Sequence, residues 1–211
     1  MSWTAAVDYS PGRRHRRDSR PCQDYGQLAK LDDNLILGAI ADGAGTCPLG
    51  HLGAQAAVGA VMRNGIGRFR AGGAPRAGSP RGPDTTFAAV IEDSIDVARD
   101  AIARTARDHA MTIDALATTL LVFVAGPLGL VVAQVGDSVL VYRDAAGGYR
   151  LAIAPDRGEF ANETVFVTDA AAHAETRIES HQGPVSFIAA FSDGLIPVSI
   201  ANDDRKPHAP F

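Results

Sequence analysis

Ala115-Leu116-Ala117-Thr118-Thr119-Leu120-Leu121-Val122-Phe123-Val124-Ala125-Gly126-Pro127-Leu128-Gly129-Leu130-Val131-Val132-Ala133-Gln134-Val135 carries no charge from end to end. A run of about 20 such residues is nominally long enough to cross a bilayer. Gly126-Pro127-Leu128-Gly129 breaks it in the middle, however, and the Thr, Val and Phe on either side suit strands better than helix. The stretch therefore predicts a buried hairpin of two strands, Leu116–Val124 and Leu130–Val135. Strands that are apolar at every position belong to a sheet covered on both faces, so the chain must supply a layer on each side of this hairpin.

Outward from the hairpin, further short segments bounded by Gly, Pro, Asp or Asn read as strands: Trp3–Tyr9, Leu35–Ala41, Val139–Arg143, Tyr149–Ile153, Val165–Thr168 and Val185–Phe191. Two helical patterns stand between the strand at Leu35 and the hairpin. The first runs from about Leu49 to Phe69, with Leu49, Leu52, Val58, Val61, Met62, Ile66 and Phe69 on its apolar face despite internal glycines. The second places Phe87, Val90, Ile91, Ile95, Ala98 and Ile102 on one side and Glu92, Asp93, Asp96, Arg99, Asp100 and Arg107 on the other, with Asp84 or Thr85 as its cap. The Gly/Pro/Arg-rich stretch at about residues 71–84 reads as a mobile loop. Strands in series with an inserted helical hairpin predict an α+β fold, a four-layer α-β-β-α sandwich with two central antiparallel sheets. The expected organisation is a single domain over residues 1–211.

Composition narrows the function classes. With 211 residues, 46% hydrophobic and 21% charged, the chain can bury a sizeable core, which excludes a disordered tail protein. A net charge of -4 gives no global field for nucleic acid or an anionic membrane, so neither is expected as a partner. The local exception is Arg13-Arg14-His15-Arg16-Arg17 with Arg20, readable either as a solvated arm or as an anion-contacting loop. Cys22 and Cys47 have neither zinc nor disulfide spacing and read as reduced thiols of a cytoplasmic protein. Met1-Ser2-Trp3-Thr4 leads into an alternating segment and not into a secretory leader, so Asn162-Glu163-Thr164 is read as a loop and not as a glycosylation acceptor.

Two acidic turns carry the chemistry: Ile40-Ala41-Asp42-Gly43-Ala44-Gly45 and Phe191-Ser192-Asp193-Gly194-Leu195, each an aspartate and a glycine closing an apolar run. Either alone would be an ordinary turn. Brought together, stiff carboxylates and a glycine carbonyl would form an oxygen-rich pocket suited to magnesium or manganese.

The order of Pro21-Cys22-Gln23-Asp24, the first Asp-Gly, Leu116-Ala117-Thr118-Thr119-Leu120, Gln134-Val135-Gly136-Asp137-Ser138, Phe160-Ala161-Asn162-Glu163-Thr164 and Ser192-Asp193-Gly194 resembles the metal-dependent protein phosphatase family of the 2C type. The Pro-Cys-Gln-Asp and Asn-Glu-Thr pieces look like its compact bacterial branch, and the resemblance runs from about residue 7 to residue 198. It implies the same sandwich and a serine/threonine protein phosphatase acting on phosphorylated signalling proteins, with a cognate kinase among its partners. It also implies two Mn2+ or Mg2+ ions, an additional weaker one, and attack on the phosphomonoester by a metal-activated water. By resemblance, Asp24, Asp42 and Asp193 are catalytic. Asp42 bridges the metals, the Gly43 carbonyl completes one shell, Asp193 holds the other ion, and Asp24 orients the water or completes a shell. Asp137 resembles the residue that helps hold the weaker ion, and it also reads as a tight turn between Val135 and Val139.

Departures matter as much. Gln23 stands where many relatives have glutamate, Ala44 where eukaryotic relatives have histidine, and Ser19 where the phosphate-gripping arginine falls. Arg20 and Arg17 are adjacent but out of register as phosphate-binding residues, and His15 is a substitute acid. Relatives also continue to a last strand with a further metal-binding aspartate; Asp203 and Asp204 come too soon to be equated with it, so the domain reads as incomplete at its C-terminal end. That lowers the expected metal affinity and activity. The alternatives are a catalytically silent module that binds a phosphoprotein or kinase, and a phosphohydrolase for small phosphoesters.

Overall fold

A computed structural model describes residues 2–72, 91, 93–154, 164–201 and 206–208. The predicted loop from residue 73 onward, Phe87, Val90 and Glu92 of the second helix with its caps Asp84 and Thr85, Asn162 and Glu163, and Asp203 and Asp204 lie outside the described residues.

The uncharged stretch is a hairpin. Strands β3 (Leu120–Gly126) and β4 (Gly129–Val135) pair antiparallel in the register Leu120↔Val135 to Gly126↔Gly129, and every residue of both is buried. They lie within a five-stranded sheet of order β1-β2-β3-β4-β7, where β1 is Asp24–Lys30, β2 is Ile36–Asp42 and β7 is Arg177–Gln182. A second sheet of three strands has the order β6-β5-β8, with β5 Val139–Arg143, β6 Tyr149–Leu151 and β8 Phe187–Phe191. The α-helices given by the described residues are α1 (Arg13–Arg17), α2 (Gly50–Gly72), α3 (Ser94–Asp108) and α4 (Ile196–Ser199). The α+β sandwich with two antiparallel sheets is thus the expected architecture. Among the described residues, no helix is long and apolar enough to cross a membrane.

Period-2 alternation explains why the hairpin needed no polar face. Leu120, Val122 and Val124, with Leu37, Ala39 and Val131, turn toward Ala54, Val58, Val61, Ile95 and Ile102 of α2 and α3. Leu121, Phe123 and Ala125, with Ile36, Leu130 and Val132, turn the other way, toward Leu140, Tyr142 and Val185 of the second sheet region. The outer face of the small sheet, Val141 and Phe191, packs with Ile196 and Ile200 at α4.

Several boundaries differ from expectation. Residues 3–9 form no strand, although Trp3 anchors the segment by donating its indole N–H to the Asn34 carbonyl at 2.8 Å. Leu116 closes a 3-10 turn, Ile113–Leu116, and does not begin the strand. Val165–Thr168 is not a strand either; it is strapped down by Val167 N–H to Thr118 O at 2.9 Å and by Arg99, which donates to the carbonyls of Val167 and Asp169 at 2.8 and 2.7 Å. Ala71 and Gly72, expected in the loop, belong to α2. Strand β1 carries mixed polarity, and β7, Arg-Ile-Glu-Ser-His-Gln, is a largely exposed edge strand, so neither shows the apolar signal by which strands are read.

His181 gives β7 a structural purpose. It is the cross-strand partner of Leu130, so it points between the sheets. Its Nε2 lies 2.7 Å from the Ala152 carbonyl, which can only accept, so that nitrogen carries the proton and Nδ1 accepts from the Tyr142 hydroxyl at 3.1 Å. The imidazole thereby joins the large sheet to the small one. His181→Ala is expected to cost about 2 kcal/mol, lowering the melting temperature by about 4–8 °C. Tyr142→Phe, which spares the bond to Ala152, should cost less than half of that in the same thermal scan.

Candidate active site

Strand register assembles the acids. Asp24 at the start of β1 and Asp42 at the end of β2 are direct cross-strand partners, which puts their Cβ atoms about 5 Å apart on one rim. Backbone bonds fix Asp42 from its other side. Its N–H donates to Thr119 Oγ1 at 2.9 Å, and its carbonyl accepts from Thr118 Oγ1 and from Thr119 N–H, each at 2.9 Å. Gly43 continues the pairing, donating to the Gln23 carbonyl at 3.0 Å and bridging to Thr118.

Gly43 cannot carry a side chain. A Cβ there would lie 2.3 Å from the Gly50 carbonyl carbon, because the N-terminal end of α2 packs directly on this turn. The other turn obeys a second constraint: Gly136, at φ +97°, takes a conformation L-residues rarely adopt, and its Cβ would meet Thr119 Cγ2 at 2.5 Å. That tight turn carries Asp137, whose Oδ2 accepts from the Thr164 hydroxyl at 3.0 Å. Asp193 opens a 3-10 turn, Asp193–Leu195, directly after β8.

The four aspartates share one electrostatic environment. Burial, then the charges of Asp24, Asp193 and Asp137, and a hydrogen bond to Asp193 push the Asp42 carboxyl up to about 8. Burial and the Asp137 charge likewise raise Asp193, although the bond from Asp42 works against this. The Asp42 carboxyl is thus held largely protonated at neutral pH. Asp24 has one arm, Oδ1, buried without a hydrogen-bond partner, while Oδ2 accepts from the Cys22 thiol at 3.6 Å. Burial followed by the Asp24 charge raises the Cys22 thiol, which keeps it an unreactive donor. Cys47 is occupied elsewhere, donating to the Asp114 carbonyl at 3.2 Å, and neither cysteine forms a disulfide.

In kind, this donor set fits a hard divalent cation: several carboxylate oxygens, one buried and orphaned, and a repulsion that positive charge would relieve. Among the described residues, no three His, Cys, Asp or Glu side chains are already grouped at metal-holding spacing. Asp24, Asp42 and Asp193 are the residues that would hold such an ion, and it would supply positive charge against their mutual repulsion.

The other predicted residues lie apart. Gln23, 7% exposed, turns its amide toward the carbonyls of Ala44 and Cys47 at 3.3 and 3.5 Å, so it braces the Gly43 turn. Arg17 pairs with Asp18 at 2.9 Å on the exposed surface. Arg20 lines a cavity of about 310 Å³ with Gln23, Thr46, Cys47, Pro48 and His51, and burial lowers His51, which leaves it neutral at pH 7. His15 belongs to α1, where its carbonyl accepts from the Arg20 N–H at 2.8 Å. The roles of Thr118, Thr119, Thr164 and the Cys22 thiol were not foreseen. The Thr-Thr pair at the head of an uncharged strand was the available signal, but its use depends on a register that only pairing reveals.

Comparison with known proteins gives the family and the fold. A family model described as protein phosphatase 2C matches residues 11–211. Serine/threonine-protein phosphatase 3 of Escherichia coli (strain K12) is 30% identical over 215 residues, covering 100% of this chain and 81% of that protein. Among solved structures, the serine/threonine phosphatase Stp1 from Staphylococcus aureus has a TM-score of 0.61 at 16% identity, over 97% of this chain and 82% of that one. RsbX in complex with magnesium has a TM-score of 0.51 at 14% identity, over 83% of this chain and 68% of that one. At these identities the structural likenesses are likenesses of fold.

Proposed function

Since the chain belongs to the protein phosphatase 2C family, we propose that it is a serine/threonine protein phosphatase whose hydrolysis of phosphomonoesters depends on manganese or magnesium. The observation that supports this most is the convergence of Asp24, Asp42, Asp137 and Asp193 on one rim, with Asp42 raised to about 8 by its neighbours. Asp42, Asp193, Asp24 and the Gly43 carbonyl would hold two ions, and Asp137 would help hold a weaker one. Bound there, such ions lower the pKa of a water and neutralise phosphoryl oxygens.

This chain's own residues do the positioning. Thr118 and Thr119 clamp the Asp42 backbone and so set the direction from which its carboxylate leaves the strand end. The Cys22 thiol orients Asp24 and leaves the other oxygen turned inward. Thr164 holds Asp137. Because Gln23 spends its amide on Ala44 and Cys47 and contributes no charge, metal affinity is reduced, and activity falls as free metal is diluted. The substrates in this reading are phosphoserine and phosphothreonine proteins of a bacterial cytoplasm, opposite a cognate kinase.

The test is hydrolysis of a phosphomonoester with and without added Mn2+ or Mg2+. Turnover is expected only with metal, and neither Asp42→Ala nor Asp193→Ala should show any. Arg20 borders the Gln23 cavity while Arg17 is engaged at the surface, so Arg20→Ala should raise KM roughly tenfold and Arg17→Ala should leave it nearly unchanged. A second reading, a catalytically silent module that binds phosphoproteins, is favoured by the absence of a ready three-acid cluster among the described residues. Retained phosphopeptide binding with no metal-dependent turnover would select it.

A further inference from the structure

Arg99 stands in the middle of α3, between Ala98 and Ile102, both fully buried in the core on the helix side of the large sheet. The helix is therefore a fixed platform. From one nitrogen, Nη1, Arg99 donates to the carbonyls of Val167 and Asp169 at 2.8 and 2.7 Å, 68 and 70 residues further along the chain. Those carbonyls belong to residues 164–169, an irregular stretch that lies in neither sheet and so has no ladder to satisfy it.

The stretch is tied to itself and to the acidic rim. Phe166 N–H donates to Asp169 Oδ2 at 2.8 Å, and Asp169 N–H donates back to the Phe166 carbonyl at 3.0 Å, which closes residues 166–169 into one turn. A grip on that turn is passed to its neighbours. Thr164 donates to Asp137 Oδ2 at 3.0 Å, and the Val165 carbonyl lies so near the turn bearing Asp137 that a Cβ on Gly136 would stand 3.3 Å from it. Val167 N–H donates to the Thr118 carbonyl at 2.9 Å, and the Thr118 hydroxyl donates to the Asp42 carbonyl at 2.9 Å.

We propose that Arg99 is a positioning residue for the rim: anchored on α3, it holds residues 164–169 against the Asp42 and Asp137 turns and thereby sets the affinity of those acids for a divalent cation. This rests on the metal-dependent reading above and adds to it a residue that belongs to none of the acidic turns. The nearby pair of His173 with Asp96 at 2.9 Å has no such route to the rim, since both side chains are mostly exposed.

Outer partners of metal ligands commonly govern about ten- to a hundredfold in affinity. Acting through the stretch, Arg99 falls at the lower end. Arg99→Ala should weaken Mn2+ binding, measured by calorimetry, about tenfold. The Mn2+ needed for half-maximal turnover should rise equally, with KM for the phosphomonoester nearly unchanged. Arg99→Lys, whose ammonium can donate to two carbonyls at once, should restore most of the affinity. Thr164→Val, which cuts the other end, should reproduce the loss, and combining it with Arg99→Ala should add little. In metal-free protein, amide hydrogen exchange at Val167 and Thr119 should quicken in Arg99→Ala. Should that variant fail to fold, Arg99→Gln, which keeps a donor for one carbonyl, takes its place. An Arg99 variant that melts lower yet binds Mn2+ as tightly as the parent would overturn the proposal, because the residue then serves stability alone. So would losses that simply add in the double variant, or an equal loss in Asp96→Ala. A parent that binds Mn2+ but hydrolyses no phosphomonoester would instead remove the phosphatase reading, with calorimetry and exchange still deciding the role of Arg99.

Discussion

Asp42→Asn is expected to abolish hydrolysis and at the same time to make the metal-free protein more stable at alkaline pH. In the folded chain the Asp42 carboxyl is raised from 3.8 to about 8, first by burial and then by Asp24, Asp193 and Asp137. A carboxyl whose folded pKa lies above its unfolded value contributes stability fully below about pH 4 and loses it as pH climbs through about 8. Metal-free parent protein should therefore weaken steadily across that window, because folding must hold a carboxylate where three others repel it. Asparagine keeps the shape without the charge and flattens the profile. The proton shared with Asp193 spreads the repulsion over a pair, so the gain at pH 9 should be about 2–3 kcal/mol, or about 5–10 °C in melting temperature. Manganese should raise the melting temperature of the parent and leave that of Asp42→Asn nearly unmoved. Thermal scans in chelator at pH 5 and pH 9 decide the matter; a parent as stable at pH 9 as its asparagine variant would sink the repulsion account.

Gly43→Ala should be the most damaging single-methyl change near the site. The added carbon would stand 2.3 Å from the Gly50 carbonyl carbon, 2.4 Å from its oxygen and 2.9 Å from its Cα. All three are backbone atoms, so no rotamer change relieves the clash; the N-terminal end of α2 or the Asp42 turn must move. Either movement breaks something already counted. Shifting the turn loosens Gly43 N–H from Gln23 and Ala44 N–H from the Ala117 carbonyl, and shifting the helix opens the packing of Ala54 and Val58. The expected cost is about 3 kcal/mol or more, seen as a fall of roughly 6–12 °C, with kcat reduced because Asp42 no longer meets its partners. An alanine variant that melts with the parent would mean that the helix end does not press on this turn.

Much of this was legible in the residues because the signals were local or periodic. The uncharged stretch with its Gly-Pro-Leu-Gly break defined a hairpin, and the absence of a polar face required cover on both sides; α2, α3 and the small sheet provide it. The two Asp-Gly turns and their order with Gly136-Asp137 pointed to the rim where those acids meet. What lacked a signal was decided by partners distant in the chain. Residues 3–9 alternate as a strand should, yet they are not one, because no described strand lies beside them to accept their hydrogen bonds. Strand β7 is polar and is nevertheless a strand, because β4 offers an edge and His181 reaches between the sheets.

Which segments must be buried, and which side chains could carry charge to a strand end, follow from the residues alone, since apolar periodicity and the chemistry of aspartate and glycine are local properties. Only long-range pairing decided that Thr118 and Thr119 clamp Asp42, that Gln23 faces the backbone and not the acids, and that His181 reaches between the sheets. Those outcomes depend on register and layer count, which are set by the pairing of strands far apart in the chain and not by any one stretch of it.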